Sequence, residues 1–73
     1  MNEKCTIEVY WSINNRYYSF LKENSPTDKV GKNLHILKTY DAPWDKLTEI
    51  MNICTKSKGK SQEYVKSEIE KLL

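Results

Sequence analysis

The sequence predicts a small α+β fold in which three antiparallel strands come first and two helices follow, packed on one face of the sheet. Three observations predict it. Cys5–Leu21 alternates apolar and polar residues around an Asn-Asn pair, which is the strand period interrupted by a turn. Leu34–Tyr40, LHILKTY, is a second strand-like stretch after a polar, Pro- and Gly-containing gap. From Trp44 onward the apolar spacing changes to that of a helix.

In the hairpin, Cys5, Ile7, Val9, Trp11 and Ile13 alternate with Thr6, Glu8, Tyr10 and Ser12. Asn14 and Asn15 tolerate the positive φ of a two-residue primed turn. That turn sets Ile13 opposite Arg16, Trp11 opposite Tyr18 and Val9 opposite Phe20. Directly opposed residues share a face. One face then carries Ile7, Val9, Trp11, Tyr18 and Phe20 as the core. The other carries Glu8, Tyr10, Ser12, Tyr17, Ser19 and Leu21.

Lys22–Asn33 reads as a loop, long for a compact domain. Long ordered loops often serve function, although a solvated connector has the same composition. In the third strand, Leu34 and Ile36 are expected to face inward. His35 and Leu37 then join the open face. Asp41 is placed as an N-cap, with Pro43 in the first turn where its missing N–H is harmless. Trp44, Leu47, Ile50 or Met51, and Cys54 recur at helical spacing. Lys56 and Lys58 suit the helix C-terminus and Gly59 its stop. Ser61 caps a second helix with a Val65, Ile69, Leu72 stripe. Which neighbour the third strand takes is open.

Length and composition narrow the function. Seventy-three residues make one domain, residues 1–73, with a thin core and no room for a deep enclosed active site. Hydrophobic residues at 38% against 30% charged suit a globule rather than a disordered chain. No apolar run approaches the roughly 20 residues of a membrane span. The segment MNEKCTIEV lacks an apolar signal-peptide core, so a cytoplasmic location is expected. A phage or mobile-element product acting in a host cytoplasm would read the same way. Cys5 and Cys54 are then expected to be reduced and buried.

The chemistry-bearing patterns are sparse. Gly59-Lys60-Ser61 echoes the end of a phosphate-binding loop, but the required upstream glycine is Cys54 and no strand precedes it. A helix stop followed by a new cap accounts for the same residues. His35 is the sole histidine, with no nucleophile and carboxylate arranged around it in the sequence. A zinc site from Cys5, Cys54 and His35 lacks paired ligand spacing. No catalytic residue, metal ligand or cofactor is expected, and the chain reads as a non-enzyme.

The surplus aromatic face is the remaining clue. Tyr10, Tyr17 and Leu21, with Arg16 at the hairpin tip, are the expected partner-binding residues. Tyrosine offers contact area at low entropic cost, although cross-strand tyrosines also stabilise a thin sheet. The expected function is a small protein-interaction module of regulator or inhibitor type. It would bind another protein, or itself as a homodimer, through the open face or a strand edge. The alternative is a nucleic-acid-binding module whose contacts are Arg16, Lys22, Lys32, Lys56, Lys58 and Lys60, with bases stacked on tyrosine. Twelve basic against ten acidic residues give a net charge of only +2, which ranks this reading second.

Overall fold

The computed structural model describes residues 3–73. Strands β1 (Lys4–Ser12), β2 (Arg16–Leu21) and β3 (His35–Pro43) form one antiparallel sheet in the order β2-β1-β3. Helices α1 (Leu47–Lys56) and α2 (Gln62–Leu72) follow. The α+β class and the order of elements are those read from the sequence.

The helix-facing side holds the core. Ile7, Val9, Ile50, Val65 and Ile69 are fully buried there, with Cys5, Tyr17, Tyr40, Ala42 and Cys54 around them. Burying each large aliphatic side chain stabilises by about 1.5–3 kcal/mol, and this packing is what holds the two short helices on the sheet. Val65 and Ile69 come from the predicted α2 stripe, with Leu72 packed beside them. Ser61 caps α2 as expected, its hydroxyl accepting from the Tyr64 N–H at 3.1 Å.

The hairpin register differs from the expected one by a single residue. Ser12 pairs with Arg16, Trp11 with Tyr17, Tyr10 with Tyr18 and Val9 with Ser19. Asn14 and Asn15 do take positive φ, 65° and 51°, but Ile13 joins them in a three-residue turn. A one-residue slip turns every β2 side chain to the opposite face. Tyr17, Ser19 and Leu21 therefore face the helices, and Tyr18 and Phe20, expected in the core, face outward. The cause is tertiary. With Tyr17 inward, its hydroxyl donates to the Lys60 carbonyl at 2.5 Å, and the Gly59 N–H donates to the Asn15 carbonyl at 2.9 Å. The hairpin tip is thus fastened to the turn between the helices.

β3 is also corrected. It pairs with β1 and runs to Pro43, so Asp41 is a strand residue whose carboxylate accepts from the Thr6 hydroxyl at 2.8 Å, not a helix cap. α1 starts later, after a single 3-10 turn at Trp44–Lys46, and has no side-chain cap. Between the Val9–Lys38 and Tyr10–Ile36 pairs β3 carries one extra residue, Leu37. This bulge reverses the alternation. Leu37 packs against the core, whereas Ile36, expected inward, is 53% exposed. His35 stacks on half-buried Trp11 with ring centroids 4.6 Å apart.

Because β1 lies between β2 and β3, the connection between them must cross the outer face of the sheet. Residues 22–34 make that crossing. The Ser25 hydroxyl donates to the Glu8 carboxylate, and the Lys29 ammonium lies 5.5 Å from the centre of the Tyr10 ring. Phe20 meets Tyr10 edge to face at 5.8 Å. The outer face is therefore largely covered by the chain's own loop, with Tyr10 fully buried and Leu34 nearly so.

Candidate functional site

The expected partner-binding residues are not brought together. Tyr10 lies beneath the crossing loop, its hydroxyl donating to the Glu8 carboxylate at 2.7 Å. Tyr17 is in the core, where burial pushes its phenol above the usual value. Leu21 is half-buried against the same core. Only Arg16 is exposed. The open aromatic face expected from Tyr10, Tyr17 and Leu21 thus does not exist. Each of the three has a structural contact that accounts for it.

The lysines are exposed but dispersed. Lys22 sits in the 3-10 turn after β2, Lys32 in the crossing loop, and Lys56 ends α1. Lys60 lies over the Tyr64 ring at 5.8 Å. Lys58 alone joins Arg16, at a shallow depression of about 210 Å³ that Tyr18 and Thr55 also line. Gly59, at φ 84°, makes the left-handed turn that ends α1, and the next residues enter α2. The Gly59-Lys60-Ser61 run is accounted for as that turn and cap.

What the structure assembles is the edge of β2. β2 and β3 are the two sheet edges. β3 carries the devices that blunt an edge: the Leu37 bulge, Lys38 and the terminal Pro43. β2 reads RYYSFL and has no bulge, no proline and no charge after Arg16. Its outward-facing backbone groups have no strand partner.

Partly exposed apolar side chains border this edge on both sides. On the helix side, Met51 and Thr55 of α1 stand beside it, forming a second depression of about 150 Å³ with Tyr18 and Phe20. On the outer side, Tyr18, Phe20, Lys32 and Leu34 line one of about 250 Å³. Tyr18 is 38% and Met51 48% exposed.

The helix-side wall contains two polar groups without a surface role. The Ser19 hydroxyl is buried with no hydrogen-bond partner of ordinary geometry and lies beside the Cys54 thiol. Burial pushes that thiol up to about 11, an effect that Ser19 offsets in part. A thiol so shifted is protonated at neutral pH, the wrong state for a nucleophile. Cys5 is likewise buried and raised by desolvation, and both cysteines are free. Among the described residues no three His, Cys, Asp or Glu side chains are placed to hold a metal ion, and no helix is long and apolar enough to cross a membrane.

Tyr18, Phe20 and Met51 are the residues that sequence reasoning missed as surface groups. Tyr18 and Phe20 were hidden by the slipped register. The readable signal was the composition of RYYSFL, a strand without edge protection. Comparison of the chain with protein-family models, with characterised proteins and with solved structures gives no match.

Proposed function

We propose that this protein is a non-enzymatic protein-interaction module that takes an extended segment of another protein onto the edge of β2. The observation that carries this reading is the contrast between the two edges. β3 is blunted, whereas β2 is unpaired and flanked on both sheet faces by half-exposed apolar side chains. In strand addition the backbone ladder supplies affinity, and pockets for alternate side chains supply selectivity. Depressions lie beside β2 on both faces of the sheet. The test replaces Tyr18 with a photo-crosslinking phenylalanine analogue and, as control, Glu63 on the exposed face of α2. Adducts from position 18 that are protein and absent from position 63 support the reading. Equal yields from both positions would refute it.

A second reading has one observation in its favour. Arg16, Lys58 and the Tyr18 ring border the same depression, a pattern that also suits a phosphate with a stacked base. Retardation of single-stranded or duplex probes at low salt, lost on raising the salt, is its signature.

A further inference from the structure

We infer that the segment bound at β2 is acidic: an extended stretch of a partner protein in which Asp or Glu alternates with apolar residues. The inference rests on the strand-edge reading above and names the chemistry of its partner. The argument is charge complementarity. Every charged side chain lining the three depressions beside β2 is cationic: Arg16 and Lys58 at the hairpin end, Lys32 on the outer side. Lys22 follows directly after the strand. None of the three lining cations has a carboxylate partner among the described residues. The four ion pairs, Lys38–Glu70, Lys46–Glu49, Lys66–Glu63 and Lys71–Glu68, lie on β3, α2 and the approach to α1. Glu8 is occupied by Ser25 and Tyr10 beneath the loop. Glu23 follows Lys22 past the end of β2 and lines none of the three depressions.

Geometry then assigns the side chains of the added strand. Successive residues of a strand point to opposite faces about 3.4 Å apart. At the hairpin end a carboxylate reaches Arg16 and Lys58 together. Arg16 offers the planar fork that carboxylates accept in two hydrogen bonds. Toward the other end an apolar side chain on the outer face meets Phe20 and Leu34, with Lys32 above them. An apolar side chain on the helix side meets Met51. A second copy of this chain is the wrong occupant. Two β2 edges brought together would collect Arg16, Lys58 and Lys32 from both copies with no carboxylate between them, and like charges across a strand pair oppose association.

The test has three arms on the intact protein. Peptides of about ten residues, long enough to span a strand, are selected for binding from a random display library. Amide hydrogen exchange with a selected peptide bound then maps the site. Expected are sequences rich in Asp or Glu alternating with apolar residues, and new protection at β2 amides. Arg16→Glu with Lys58→Glu should weaken binding on the order of tenfold, since exposed charge pairs are individually modest. Both side chains are exposed, so the variant is expected to keep its fold, and circular dichroism checks this. Neutral or basic peptides protecting β2 would overturn the acidic partner and leave the edge reading standing. Failure to select any peptide, or protection that maps elsewhere, overturns both. Concentration-dependent dimers that protect β2 identify a second copy as the occupant and overturn the inference. So does single-stranded DNA that protects β2 where no peptide does.

Discussion

Replacing Tyr17 and Tyr18 one at a time tests the hairpin register, on which every surface assignment depends. Tyr17 is 4% exposed and Tyr18 is 38% exposed. Tyr17→Ala empties a core site at the junction of β2 with α1 and also removes the bond to the Lys60 carbonyl. Aromatic-to-alanine changes in cores cost about 3–5 kcal/mol. A chain of 73 residues has a total stability of about 4–11 kcal/mol at the usual value per residue. Tyr17→Ala therefore removes roughly a quarter of the stability at the top of that range and all of it at the bottom. Tyr17→Phe keeps the ring and deletes only the hydroxyl. Its cost is about 1 kcal/mol, one hydrogen bond with its acceptor left partly buried. That corresponds to a fall in Tm of roughly 4–8 °C for a domain of this size. Tyr18→Ala, on the outer face, should cost about 1 kcal/mol or less. Urea and thermal denaturation followed by far-UV circular dichroism measure all three. If Tyr18→Ala proves as damaging as Tyr17→Ala, or Tyr17→Phe is silent, the observed register is wrong and the β2 site with it.

Other consequences can be measured on the same material. Hydrogen bonds from Ser25 and then Tyr10 hold the Glu8 carboxyl below its ordinary value near 4.5. A depressed folded-state value contributes stability above the unfolded value that is lost as pH falls through the folded one. Stability should thus decline below about pH 4.5, and Glu8→Gln should flatten that decline in pH-dependent urea titrations. Ser25→Ala should cost about 1 kcal/mol and speed amide exchange in the crossing loop, leaving the helices unchanged. The Cys54 thiol, raised to about 11 and buried, should react with a thiol reagent at pH 8 far more slowly than an exposed thiol. Labelling in native buffer as fast as that of the unfolded chain would contradict that placement. Gly59→Ala meets no atom within 4 Å at its new Cβ yet must hold φ 84°, so it should cost about 1 kcal/mol through backbone strain alone.

Local features were legible where local chemistry decides them. The positive φ of Asn14, Asn15 and Gly59, the Ser61 cap and the Val65–Ile69 stripe follow from side-chain properties within a few residues. Asp41 misled because it suits a cap equally well; continued pairing with β1, as far as the contact between Lys4 and Pro43, kept it in a strand. The candidate site was less legible for one reason. Both registers of the hairpin sort their residues into an apolar and a mixed face, since Tyr17-Tyr18 and Phe20-Leu21 are adjacent pairs of similar character. Sequence alternation cannot separate two such solutions.

The amino-acid sequence alone determined the α+β class, the order of strands and helices, the α2 stripe, the α1 stripe from Leu47 onward and the left-handed turns at Asn14, Asn15 and Gly59. Each of these is set by periodicity or by the steric freedom of a single residue. Tertiary structure decided the register, the partner of β3 and the fate of the outer face. The register turns on contacts across more than forty residues, from Tyr17 to Lys60 and from Asn15 to Gly59. Placing β3 beside β1 sends the crossing loop over Tyr10 and closes the face that the sequence left open. With helices on one side of the sheet and the loop on the other, the two edges remain, and β2 is the one without a bulge or proline.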